Sequence, residues 1–184
     1  MGINLHYTEY HAALPYPEVQ VESENIRYVQ LLQDDYSGLT SEFTAISQYT
    51  YHQLILENTN NEIAAIFKGI ALVETKHLEL LGRAIIKLGG NPVFRSTYSN
   101  TGRYWYGSYV NYSNTIKKIL HDNINAERVS ISTYYKHIEV IHDSYIQELL
   151  KRIVMDEELH LAILLRVSEE NICEKKLIPK SSAI

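Results

Sequence analysis

Apolar residues recur every three to four positions along four stretches of the chain, the spacing that gathers side chains on one face of an α-helix. Leu39, Ile46 and Tyr49 mark the first stretch; Ile70, Leu78 and Leu81 the second; Ile124, Ile131 and Tyr134 the third; Ile153, Leu161 and Leu164 the fourth. All four prolines, Pro15, Pro17, Pro92 and Pro179, fall outside these stretches, as helices require. The pattern predicts helices over about Asn25–Glu57, Asn60–Leu88, Ser113–Ile141 and Ser144–Asn171. Gly38 is a candidate irregularity in the first, Gly89-Gly90 terminates the second, and Asp143 or Ser144 caps the fourth. Residues 1–24 read as an extended segment and residues 172–184 as a tail without pattern.

The first and second helices, and the third and fourth, are joined by short polar turns, so each pair folds back as a hairpin. More than twenty residues separate the pairs, well beyond the two to eight that link adjacent antiparallel helices. A crossover along the whole bundle, roughly 40 Å for helices of this length, explains the long connection. The expected fold class is all-α: an antiparallel four-helix bundle with a crossover between its second and third helices. The crossover carries Tyr98, Tyr104, Trp105, Tyr106, Tyr109 and Tyr112. These rings either lie flat on the bundle or form an oligomer contact, where Tyr and Trp are favoured.

Glu74-Thr75-Lys76-His77 and Glu157-Glu158-Leu159-His160 each place a carboxylate and an imidazole one helical turn apart. The motif alone is weak: 17 Glu and 8 His in 184 residues give about 0.7 such pairs by chance, and Glu139 with His142 is a third. Position in the hairpins separates them. Glu42 and Glu74 are equidistant from Asn58, in the first predicted turn, and Glu127 and Glu157 from His142, in the second. Each hairpin therefore sets one Glu opposite a Glu-x-x-His at a single level, whereas Glu139 and His142 fall at a turn and read as exposed capping residues.

The four glutamates and both histidines lie within the apolar stripes. Buried carboxylates without partners cost several kcal/mol each, so a cation is expected among them. Lys76, Arg128 and Lys151 lie on other faces, and no basic side chain is expected at this level. Two divalent ions would balance four carboxylates and two neutral imidazoles, and the oxygen-rich donor set suits iron or manganese.

Net charge of −5 and the lack of any Lys/Arg block argue against nucleic acid and acidic membrane surfaces as partners. The single cysteine, Cys173, forms neither an internal disulfide nor a thiolate metal knuckle. No apolar run approaches the roughly 20 residues of a membrane span, and residues 1–10 lack the features of a signal peptide, so a cytoplasmic protein is expected.

The pattern Glu42, Glu74-x-x-His77, Glu127, Glu157-x-x-His160 resembles the ferritin-like dimetal carboxylate proteins, over roughly residues 25–170. That resemblance implies Glu74 and Glu157 as ligands bridging two iron or two manganese ions, with Glu42 and His77 completing one ion and Glu127 and His160 the other. Tyr49 and Tyr134, each seven residues after a terminal Glu, resemble the tyrosines behind the ligands of rubrerythrins. Together with the bridging glutamates they are the expected catalytic residues, delivering protons, with ordinary core packing as the alternative for the two tyrosines.

The departures narrow the relatives. Rubrerythrins carry a further ligand Glu at the position of Ser130, and their rubredoxin module needs paired cysteines. Bacterioferritins place a haem-binding Met where this chain has Thr75, so no haem is expected. A short rubrerythrin-like or manganese-catalase-like protein is the nearest description. The expected activity is reduction or dismutation of hydrogen peroxide, with an external electron donor if reduction. The alternatives are a ferroxidase and iron store using dioxygen, or a structural, spore-coat-type protein retaining a metal site. Val154, Ala162 and Leu165 extend the apolar surface of the fourth helix beyond one stripe, which predicts a homo-oligomer, a dimer or larger.

Overall fold

The computed structural model describes residues 9–95 and 104–177, with side chains to residue 171; Tyr98 and the Cys173 side chain lie outside them. The described residues form five α-helices: α1 (Ile26–Ser37), α2 (Glu42–Leu56), α3 (Asn61–Lys87), α4 (Ile116–Val140) and α5 (Ser144–Leu177). α2 pairs with α3 and α4 with α5, giving the two expected hairpins of a ferritin-like bundle, and α1 packs beside α3.

The predicted first helix is in fact two. Gly38 ends α1 by donating its N–H to the Asp34 carbonyl, so close that a Cβ at position 38 would lie 2.5 Å from that oxygen. Ser41 then starts α2 by accepting from the Thr44 N–H at 3.3 Å, which makes Glu42 the first residue of the new helix. The remaining punctuation follows local chemistry. The Asn25 and Asn60 side chains cap α1 and α3, and the Asp143 carboxylate accepts from Ile146 N–H at 3.1 Å to cap α5. Gly89, at φ +85°, closes α3 in the left-handed conformation that favours glycine. α5 runs to Leu177, past the predicted end at Asn171, because no Gly or Pro interrupts the sequence before Pro179.

Two apolar clusters fill the bundle. One gathers Leu32, Leu81, Ile85, Tyr134, Ile146 and Ile153; the other Tyr49, Phe67, Ile70, Ile119 and Leu164. Phe67 is fully buried, and truncating such a ring to alanine costs about 3–5 kcal/mol. The buried glutamates and histidines belong to neither cluster; each cluster contributes one tyrosine to them.

The crossover is partly clamped down. Phe94 stacks on Tyr36 with ring centres 5.2 Å apart, and Trp105 packs edge-on against Phe43 at 4.7 Å while its Nε1 donates to Thr44 at 2.9 Å. Tyr104, Tyr106 and Tyr112 are exposed. Val154, expected on the outer surface of the last helix, is buried in the core of its own chain, so it no longer argues for a partner. No helix among the described residues is long and apolar enough to cross a membrane.

Candidate metal centre

Glu42 opens α2, Glu74 and His77 sit midway along α3, Glu127 on α4, and Glu157 and His160 on α5. None is more than 3% exposed. One atom each from Glu42, Glu74, His77 and Glu157 lie within 4.8 Å of one another, and so do atoms from Glu74, Glu127, Glu157 and His160. Glu74 and Glu157 thus belong to both groups. Glu139 and His142 are exposed at the second turn.

Both imidazoles face the carboxylates with Nδ1. That nitrogen of His77 lies 3.1 Å from Glu157, 3.2 Å from Glu74 and 3.5 Å from Glu42, and that of His160 lies 3.0 Å from Glu74. His160 Nε2 donates to the Tyr10 carbonyl at 2.9 Å, which in the neutral ring leaves the Nδ1 lone pair pointing inward. The inward oxygen Glu74 Oε1 is buried against His160 Nδ1, and Glu157 Oε1 against His77 Nδ1. Facing acceptors in a water-poor interior need a cation or protons between them. The donor set fits two cations, since four carboxylates and two imidazoles are grouped in two overlapping quartets.

The electrostatics express the same crowding. Burial, and then the charge of Glu74, raises Glu42 well above the ordinary carboxylate range; burial, and then Glu157, does the same to Glu127. Glu157 is pushed up to about 8 by burial and by the charges of Glu74 and Glu42. Burial also opposes ionisation of Glu74, but the charge and hydrogen bond of His160 outweigh it and hold this carboxyl below its usual range. Burial works against protonated imidazoles too, yet the carboxylates around them raise both His77 and His160.

Tyr49 donates to Glu127 and Tyr134 to Glu42, each phenol reaching across to the opposite hairpin. Burial first, and the accepting carboxylate second, raises both phenols well above their ordinary value, so they keep their protons. One helical turn beyond each lies a histidine in a different setting. His137 contacts the buried Asp35 carboxylate at 2.8 Å, whereas His52 takes a hydrogen bond at 2.9 Å from the neutral Asn123 amide. The two halves of the site therefore match in their ligand types but not in the groups behind them.

Sequence reasoning missed Asp156 and Arg152. Asp156 receives His77 Nε2 at 2.9 Å, and buried Arg152 pairs with it at 2.7 Å. A basic side chain does reach this level, contrary to expectation, but it neutralises Asp156 and leaves the four glutamates uncompensated. The available signal was the spacing Arg152–Asp156–His160, three residues at intervals of four on one helix face.

A cavity of about 410 Å³ opens between α2 and α4 and reaches Glu42, Glu74, Glu127 and Glu157. Leu39 and Val129 line it, and Ser108 and Asn111 of the crossover form part of its wall. Ser130, where rubrerythrins carry a further ligand, also lines this space. Neither His77 nor His160 does.

Fold and site together define a member of the ferritin-like dimetal carboxylate superfamily. The profile of the rubrerythrin family matches residues 36–168, and the chain belongs to that family. It is 23% identical over 164 residues to a probable manganese catalase of Clostridium acetobutylicum, an alignment covering 79% of this chain and 72% of the relative. Among solved structures, a manganese catalase from Anabaena superposes with a TM-score of 0.78 at 24% identity, covering 95% of this chain and 84% of that one. The bacterioferritin of Desulfovibrio desulfuricans gives a TM-score of 0.67 at 23% identity, over 86% and 92% of the two chains. A dodecameric thioferritin from Bacteroides fragilis gives 0.71 at 22% identity, over 85% and 94%. At these identities the superpositions establish the fold.

Proposed function

We propose that this protein is a dimetal oxidoreductase that consumes hydrogen peroxide, with Glu42, Glu74, His77, Glu127, Glu157 and His160 as ligands and Glu74 and Glu157 shared by the two ions. The observation that carries this reading is the convergence of four buried glutamates and two inward-facing histidine Nδ1 atoms in two overlapping ligand quartets. Similarity to a probable manganese catalase supports peroxide as the substrate. When bound, two iron or two manganese ions would supply the electrons that split the O–O bond.

The chain provides access, orientation and protons. The cavity between α2 and α4 leads a small molecule to the carboxylate side, while the imidazoles stay shielded on the other. Tyr49 and Tyr134 orient the terminal carboxylates Glu127 and Glu42 and keep a proton beside each. Reducing one peroxide to two waters takes two electrons and two protons. An external donor supplies the electrons in a peroxidase; a second peroxide, released as dioxygen, supplies both in a catalase. Tyr104, Tyr106 and Tyr112, exposed on the crossover, together with exposed Ala162, support a homo-oligomer.

The test is peroxide decay by manganese-loaded and iron-loaded protein, with and without a reducing donor. Turnover by the manganese form without donor identifies a catalase; donor-dependent turnover by the iron form identifies a peroxidase. If neither exceeds free metal at equal concentration, while the protein oxidises and retains ferrous iron, the function is ferroxidase and storage instead.

A further inference from the structure

The outer faces of both histidines are covered by one segment, the arm of residues 9–24. His160 Nε2 donates to the arm directly, at the Tyr10 carbonyl. His77 Nε2 meets the arm at the Tyr16 hydroxyl, 3.5 Å away, and more closely through Asp156, whose carboxylate also accepts from the Ala12 N–H at 2.6 Å and the Tyr16 hydroxyl at 2.6 Å. Arg152 ties the arrangement together, donating to the Leu14 carbonyl at 2.5 Å and the Ala12 carbonyl at 2.9 Å, with its guanidinium 4.2 Å from the centre of the Tyr16 ring.

The helix beneath the arm is cut to receive it. Gly69 lies inside α3, where glycine costs about 1 kcal/mol relative to alanine. A Cβ there would sit 2.2 Å from the Tyr10 ring, which is 3% exposed. The glycine thus admits the ring, and the ring places the carbonyl that holds His160.

We propose that this arm is a positioning element of the metal centre, fixing both imidazoles with Nδ1 inward, so that arm docking and metal binding stabilise each other. The inference rests on the metal-site reading above. Groups that orient ligand histidines typically change metal affinity 10–100-fold, and the coupling is reciprocal: whatever the docked arm adds to metal affinity, bound metal adds to arm docking.

Hydrogen exchange of the arm amides, Ala12 above all, in chelated and metal-loaded full-length protein tests the reciprocal half. Loading is expected to slow exchange about tenfold or more. Metal titration of two variants tests the other half. Gly69→Val displaces the Tyr10 ring and is expected to lower affinity for one ion about tenfold or more while the second stays bound, splitting a two-ion isotherm. Gly82→Ala, in the same helix away from the arm, is expected to leave the isotherm unchanged. Tyr16→Phe removes the hydroxyl that contacts both Asp156 and His77 without adding bulk, and is expected to speed Ala12 exchange and weaken the ion on His77. It keeps the test decisive if Gly69→Val does not fold. Wild-type protein that binds two ions with no change in arm exchange would overturn the coupling alone, as would Tyr16→Phe with wild-type affinity and exchange. Wild-type protein that binds no metal would overturn the site reading, and the coupling with it.

Discussion

Tyr134 donates its hydroxyl hydrogen to Glu42, a carboxylate of the opposite helix hairpin. Tyr49 returns the arrangement by donating to Glu127, so each terminal glutamate is oriented by a phenol it could not reach within its own hairpin. Tyr134→Phe and Tyr49→Phe each remove one donor from a buried carboxylate, a loss of about 1–3 kcal/mol. Each variant is expected to fold, to melt a few degrees lower, and to lose peroxide turnover through a misplaced ligand. Thermal melts and peroxide decay on the loaded variants check both.

Glu127 borders the cavity and belongs to one quartet only. Glu127→Ala takes the proposed cluster from neutral to +1 and opens it to water, while Glu74 and Glu157 remain. At least a tenfold loss of peroxide consumption is expected, with helix content by circular dichroism unchanged.

Chelation should expose the carboxylates' preference for protons. In the metal-free site, burial and neighbouring charge place Glu157 at about 8, against 4.5 for a free glutamate, and Glu42 and Glu127 are raised as well. A carboxyl with a pKa higher folded than unfolded stabilises the fold fully below the unfolded value. That contribution is lost as pH rises through the folded value, at about 1.4 kcal/mol per pH unit for each group in between. The Tm of chelated protein is therefore expected to fall from about pH 5 to about pH 8. Loaded protein is expected to resist this fall, because its cations replace the protons, and metal uptake is expected to release protons.

Asp156 ties His77 to the arm, and Asp156→Ala leaves Arg152 buried without its carboxylate. Losing one partner of a buried pair costs about 3–5 kcal/mol. Arg152→Met with Asp156→Leu, which removes both charges and the acceptor, is expected to recover much of the stability without restoring the His77 contact. Melts of the two variants, with metal titrations, separate the structural role from the positioning role.

The hairpins and the level of the site were legible in the sequence because a helix pair brings together residues equidistant from its turn. The turns at residues 57–60 and 141–143 hold the midpoints of Glu42/Glu74 and Glu127/Glu157. The break between α1 and α2 was visible only as Gly38, since a lone glycine is tolerated within helices and the Ser41 cap gains meaning only beside it. Asp156, Arg152 and Tyr16 stayed hidden because their contacts span up to 144 residues and depend on an arm without periodicity. Val154 misled for a related reason: apolarity marks burial without saying whether the covering surface belongs to the same chain.

The most direct test of the dimetal assignment is the metal content of purified protein after dialysis. Two iron or manganese ions per chain are expected in the wild type, and none in the double variant Glu74→Ala/Glu157→Ala, which removes both shared carboxylates. A wild-type protein that retains no metal, or a double variant that retains both ions, would contradict the assignment.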